Sequence, residues 1–218
     1  MKQIFNKSGT QQDLFAFVVN EVLHPHQTGT WVDIGARNFG DGFGQNNTEF
    51  LYEQGWGGLS MDIGDYGHTY ETLDPNRVSF KQLDCTQPDL LLSTIQSHNI
   101  PKIVNYLSFD IDDATEPGLK ALEVVIDQGG YLFECITFEN DAYRFSTRVR
   151  DLQREFFTER NYVLAVELDL YEDWWIHSSV YDARFLPLKE IGSRIKHNDG
   201  FNESDLSYIH DALIGIIH

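Results

Sequence analysis

Residues 30–36 read Thr30-Trp31-Val32-Asp33-Ile34-Gly35-Ala36, and this stretch decides the fold. An apolar run ending on an acid and a glycine predicts a buried strand that enters a tight turn. The residues that follow, Arg37-Asn38-Phe39-Gly40-Asp41-Gly42-Phe43-Gly44, form a glycine-studded loop. The next strand-like run, Gly58-Leu59-Ser60-Met61-Asp62, closes on a second acid. A strand, a glycine turn, a helix and a strand ending in a carboxylate make the half-site that nucleotide-like cofactors use. The glycines let backbone N–H groups approach the ligand, and the carboxylate accepts from ribose hydroxyls. The loop lacks the G-x-G-x-x-G spacing of a dinucleotide site, and no Gly-Lys-Ser or Gly-Lys-Thr occurs, so neither a pyrophosphate cradle nor a Walker loop is indicated. Among adenosine-bearing cofactors, S-adenosylmethionine fits best.

Outward from this half-site, strand and helix signals alternate as in a doubly wound parallel α/β sheet. Strands are expected at 30–34, 58–62, 78–83, 104–110, 132–139 and 162–167, with a last strand in the Trp- and Tyr-rich segment 171–182. Helices are expected near 47–54, 89–97, 116–128 and 147–160. An N-terminal helix at 8–23 follows the capping-box-like Ser8-x-x-Gln11, and a C-terminal helix is expected at 203–216. The 218 residues, 41% hydrophobic, suit one α/β domain over 1–218, with a cofactor half at 30–110 and a substrate-facing half at 110–182.

In such a fold the carboxyl ends of the strands share one edge, and residues there form the site. Those ends carry Asp33 and Gly35, then Asp62, then Asp84, then Asp110 and Asp112, then Glu139 and Asn140. Each acid alone could be a helix cap, and for Asp112 that alternative stays open because Pro117 starts a helix signal just beyond it.

These residues resemble a known family. Val32-Asp33-Ile34-Gly35-Ala36, Asn46-Asn47-Thr48 and Gly55-Trp56-Gly57-Gly58-Leu59-Ser60-Met61-Asp62 are similar to the early blocks of the FkbM family of class I S-adenosylmethionine-dependent methyltransferases. Phe109-Asp110-Ile111-Asp112 and Phe138-Glu139-Asn140-Asp141-Ala142-Tyr143 resemble its later features. The chain departs from that pattern at Asp62-Ile63, where members commonly have Glu-Pro, at Asp112-Asp113, commonly Glu-Gly, and at Arg37, commonly a small or amide residue. The resemblance implies a Rossmann-like, doubly wound, mostly parallel seven-stranded sheet with an antiparallel last strand. It implies O-methylation of a sugar, glycan or sugar-bearing metabolite, which makes the partner a small-molecule or glycan acceptor. Asp33, Gly35 and Ala36 are then expected around the methionine part of the cofactor, and Arg37, Thr48 and Ile63 are expected among the other cofactor-binding residues. Asp62 is expected at the ribose, Asp84 and Cys85 at the adenine, and Asp110 beside the transferred methyl.

Methyl transfer from a sulfonium needs an aligned nucleophile and a base. Candidates for the base are Asp112, Glu139 and His177, the last alternatively a hydrogen-bonded histidine in an aromatic patch. Asp110, Glu139 and Asn140 also resemble the magnesium ligands of catechol-type O-methyltransferases, so Mg2+ is a candidate second cofactor. The tail aromatics Tyr171, Trp174, Trp175 and Tyr181 either stack on an acceptor or close the core.

The formal charge of −18 repels phosphate backbones and anionic lipid, which argues against nucleic-acid and membrane partners. Arg144, Arg148, Arg150 and Arg154 are interleaved with acids and read as a solvated helix face. The first residues lack a signal-peptide core and no apolar run approaches a bilayer span, so a cytoplasmic protein is expected, with a homo-oligomer left open. Cys85 and Cys135 read as buried thiols rather than a disulfide or zinc site. Two further functions stay open: a catalytically weak cofactor-binding subunit of a complex, and, less favoured for want of dinucleotide glycines and a Tyr-x-x-x-Lys pair, a nicotinamide-dependent oxidoreductase.

Overall fold

A computed structural model describes residues 15–16, 19–40, 46–140, 142–168 and 171–194. Seven strands form one sheet: β1 (Thr30–Ile34), β2 (Gly57–Asp62), β3 (Val78–Gln82), β4 (Ile103–Phe109), β5 (Leu132–Glu139), β6 (Tyr162–Leu168) and β7 (Glu172–His177). Their spatial order is β3-β2-β1-β4-β5-β7-β6. The first five strands pair in parallel, and β7 runs antiparallel to both β5 and β6. The expected mostly parallel sheet with an antiparallel last strand is therefore what forms.

Side chains alternate across the pleat, so each strand feeds two cores. Trp31, Tyr106, Cys135 and Trp174 lie in one cluster, while Val32, Ile34, Leu107, Phe109, Ile136 and Phe138 lie in the other. Phe109 and Phe138 stack at 4.4 Å, tying β4 to β5. The helices are α1 (Glu49–Glu53), α2 (Gly67–Tyr70), α3 (Pro88–Ser97), α4 (Thr115–Glu123), α5 (Ala142–Phe145), α6 (Thr147–Glu159) and α7 (Leu186–Arg194). Pro88 opens α3, where its missing N–H costs nothing. A π-helical turn, Val124–Gln128, extends α4 to the expected end.

Three differences from the expected elements have local causes. The short helices α2 and α5 are single turns, too brief to leave a 3.6-residue period. The expected helix 8–23 is described only as the π turn Val19–Leu23 and residues 15–16, and 203–216 lies outside the described residues. Both adjacent tryptophans of β7 are core: Trp174 is fully buried against Phe15 at 5.0 Å, and Trp175 packs on Phe157 at 5.3 Å on the other face. Both faces of the sheet are packed over at β7, so neither indole is available to an acceptor.

The arginine run is not uniformly solvated either. Arg154 on α6 turns inward, its Nε and Nη2 donating to Asp173 Oδ2 and Oδ1 at 2.7 and 2.8 Å, and Asp173 is fully buried. Among the described residues, no helix is long and apolar enough to cross a membrane. Cys85 and Cys135 are free buried thiols, with burial pushing Cys85 up to about 12.

Candidate functional site

The topological switch point lies between β1 and β4, which pair directly although the chain visits β2 and β3 in between. Loops leaving these two strands diverge and open a crevice at the carboxyl edge. Their bases are fastened together. Gly35 and Ala36 both donate backbone N–H bonds to Met61 O, at 2.8 and 3.0 Å, and Asp110 N donates to Ile34 O at 2.8 Å. Gly35 has φ +87°, and a Cβ there would stand 1.5 Å from the Asp110 carbonyl oxygen. The glycine is required by the approach of the β1 loop to the β4 loop and by its left-handed backbone.

A cavity of about 290 Å³ opens at this point. One wall carries Gly35, Arg37, Asp62 and Ile63; Asp84 and Cys85 follow from the β3 end; Asp110 and Asp112 close the opposite side. Eight of the residues expected at the site thus meet around one space. The volume and the mixed lining of carboxylates and apolar side chains suit a small, partly polar ligand.

The cavity is acidic. Burial raises the Asp62 carboxyl above its ordinary range, opposed by the Gly64 N–H that Oδ1 accepts at 2.6 Å. Asp84 is partly exposed and held low by the Thr86 hydroxyl and N–H, at 2.6 and 3.0 Å, so it also organises the turn into α3. Asp112 has φ +48°, a left-handed conformation unusual outside glycine. Arg37 Nη2 donates to its Oδ2 at 3.1 Å, and Arg144 Nη1 lies 3.8 Å from Oδ1 while Nη2 pairs with Asp113 at 3.1 Å. Desolvation lowers the Arg37 guanidinium, but Asp112, Asp110, Tyr66 and Asp62 outweigh it, so its pKa is raised overall.

Asp33, Ala36 and Thr48 do not line the cavity; all three are buried. Asp33 is 1% exposed, and its Oδ2 accepts from the Thr48 hydroxyl at 3.3 Å. Burial is the main cause that raises its carboxyl to about 7, with Ser108 and Thr48 pulling the other way. Asp33 belongs to a layer of buried polar side chains that crosses the sheet in register: Ser60, Asp33, Ser108 and Thr137 on β2, β1, β4 and β5. Asn47 Nδ2 donates to Ser108 Oγ at 2.9 Å, so the Asn46-Asn47-Thr48 segment roofs this layer.

Glu139 and Asn140 end β5, level with Asp110 because Phe109 pairs with Phe138, but they stand outside the cavity lining. Asn140 is buried, and its Oδ1 accepts from Ala142 N at 3.2 Å. Among the described residues, no group of three His, Cys, Asp or Glu side chains is placed to hold a metal. His177 is not brought to the cavity: β7 runs antiparallel, with Glu172 opposite Glu139 and Ile176 opposite Cys135, so His177 sits at the far edge of the sheet. There its Nδ1 contacts Ser179 Oγ at 2.7 Å and its ring meets Tyr162.

Sequence reasoning passes over Tyr66, Thr86 and Ile111, all of which line the cavity. Thr86 has a signal, as an Asx-turn partner two residues after Asp84. Tyr66 and Ile111 carry no local signal.

No family model and no curated protein matches the chain. Solved structures do. A mycinamycin-pathway methyltransferase, MycE, in complex with Mg and SAH, superposes with a TM-score of 0.51 at 10% identity, over 78% of this chain and 55% of that one. The same protein with Mg, SAH and mycinamycin VI gives the same figures. A second crystal form gives 0.51 at 13% identity, over 75% and 47%. The chain therefore shares the Rossmann-like methyltransferase fold and spans about half the length of these neighbours.

Proposed function

We propose that the chain is an S-adenosylmethionine-dependent methyltransferase that methylates a hydroxyl of a sugar, glycan or sugar-bearing small molecule. The observation that carries the reading is the convergence of Asp62, Gly35 and Asp110 on one cavity at the switch point of this sheet. Fold likeness to a methyltransferase solved with SAH supports it, as does the sequence resemblance to FkbM-type enzymes. The acceptor class rests on that resemblance and on the neighbour solved with mycinamycin VI.

The residues present fit such a cofactor. On this reading Asp62, at the end of β2, accepts from ribose hydroxyls, and Ile63, Asp84 and Cys85, which line the same cavity, border the adenine end. On this reading Gly35 and Arg37 border the amino-acid end, with the buried Asp33, Ala36 and Thr48 outside the lining. Bound S-adenosylmethionine supplies an activated methyl on sulfur. The chain's task is then to align an acceptor oxygen and take its proton, for which Asp112 at the rim and Glu139 one strand over are the candidates. A magnesium ion is a candidate second cofactor at the ends of β4 and β5. Asp110, Glu139 and Asn140 carry the hard oxygens it prefers, and Asn140 Oδ1, which accepts from Ala142 N, keeps a second lone pair.

Calorimetric titration with S-adenosylhomocysteine and, separately, NAD tests the assignment. Binding of the former and not the latter is expected. NAD binding without S-adenosylhomocysteine binding would overturn it. Release of labelled methyl to a glycan panel, with and without magnesium, then separates an enzyme from a silent cofactor-binding subunit.

A further inference from the structure

We propose that Arg37 is the specificity-determining cation for the carboxylate of the cofactor's amino-acid part, exchanging its bond to Asp112 for one to the ligand. This rests on the methyltransferase reading above and adds a role that the reading does not require. Arg37 is the sole cation among the described residues that line the cavity, against four carboxylates, Asp62, Asp84, Asp110 and Asp112. A ligand carboxylate entering this space meets repulsion from every other charged group. Only the guanidinium offers the planar pair of donors that a carboxylate takes up.

The geometry makes the exchange feasible. The side chain of Arg37 is 43% exposed, and its one hydrogen bond to a carboxylate is a single 3.1 Å contact to Asp112, so both ends are within reach of solvent and ligand. Asp112 does not lose all compensation when Arg37 turns away, because Arg144 lies 3.8 Å from its other oxygen. The pairing exists because the two loops are fastened at Gly35 and Asp110, which places the residue two beyond each against the other. Occupation of the amino-acid subsite would thereby free Asp112 Oδ2, one of the candidate bases, at the moment the cofactor is seated.

Two ligands differing only in the carboxylate test the proposal: S-adenosylhomocysteine and its decarboxylated analogue, S-adenosyl-3-thiopropylamine. Both are titrated into the full chain and into R37Q, R37K and D112N. R37Q should weaken S-adenosylhomocysteine roughly 10- to 100-fold, the size of a lost charge-assisted contact, and weaken the analogue less than about 3-fold. R37K should recover part of the loss, and D112N should tighten S-adenosylhomocysteine severalfold while leaving the analogue unchanged. Equal losses for both ligands in R37Q, or none, overturn the role of Arg37 and leave the methyltransferase reading standing. Failure of the parent to bind either ligand overturns that reading, and this proposal with it. Should R37Q fail to fold, the R37K and D112N ligand ratios decide alone, and unchanged ratios in both overturn the proposal.

Discussion

Replacing Asp33 by asparagine should stabilise the protein, and should do so only above the pH at which the unfolded carboxyl ionises. Burial raises this group from 3.8 to about 7. Between those values the folded carboxyl keeps a proton that the unfolded one has released, so stability falls as pH rises through this window and levels off above it. A shift of about three units at 1.36 kcal/mol each amounts to about 4 kcal/mol lost by pH 8. At pH 5 only about 1.5 to 2 kcal/mol of that loss has accumulated. The asparagine side chain fills the same volume, keeps an oxygen to accept the Thr48 hydroxyl and carries no charge at any pH. The gap in unfolding free energy between Asp33→Asn and the parent should therefore widen by about 2.5 kcal/mol from pH 5 to pH 8. With a urea slope near 2 kcal/mol per molar, that is a midpoint gap growing by about 1 M. Urea denaturation followed by tryptophan fluorescence at several pH values reads it directly. A gap independent of pH would refute the argument, since it would mean that Asp33 is ionised in the folded state throughout.

On the proposed assignment of Asp62 to the ribose, Asp62→Ala should weaken S-adenosylhomocysteine binding by about 10-fold or more, since Asp62 lines the cavity; equal calorimetric affinity would sink that assignment. Arg154→Ala leaves Asp173 buried without its bidentate partner and should cost about 3 to 5 kcal/mol in denaturant unfolding. Gly35→Ala would place a methyl 1.5 Å from the Asp110 carbonyl and should abolish ligand binding even where circular dichroism shows the sheet retained. His177→Ala, at the opposite sheet edge, should leave cofactor affinity and turnover within about 2-fold of the parent, and a large loss of turnover would restore it to the site.

The strands are legible because short apolar runs bounded by glycine, proline and acids are strong local signals, and β1 and β5 lie at the expected residues. The acids at strand ends are legible because a parallel sheet brings them to one edge. What escapes is every property that depends on a neighbour distant in sequence. Asp33 reads as a residue that touches the ligand, but the roof of Asn46, Asn47 and Thr48 buries it, and nothing near residue 33 announces that roof. His177 lies away from the cavity because its position depends on the direction of β7, which no local pattern encodes. Trp174 and Trp175 read as half-exposed until both faces of the sheet are found packed over at β7. Arg154 looks like its solvated neighbours, and its buried partner Asp173 comes from β7, outside the helix altogether.

The pairing of β1 with β4 sets when the molecule can first become competent. Arg37 and Asp112 are 75 residues apart, and the Gly35 turn meets its Asp110 abutment across the same span. As the chain leaves a ribosome, β1 can gather β2 and β3 on one flank, yet its other flank stays bare until β4 has emerged. Until then the row of unpaired amides along β1 invites any passing strand, and the β1 turn lacks the abutment against which it takes its shape. Competence should thus arrive in one late step with β4, so nascent chains stopped before residue 110 should show no retention on immobilised S-adenosylhomocysteine.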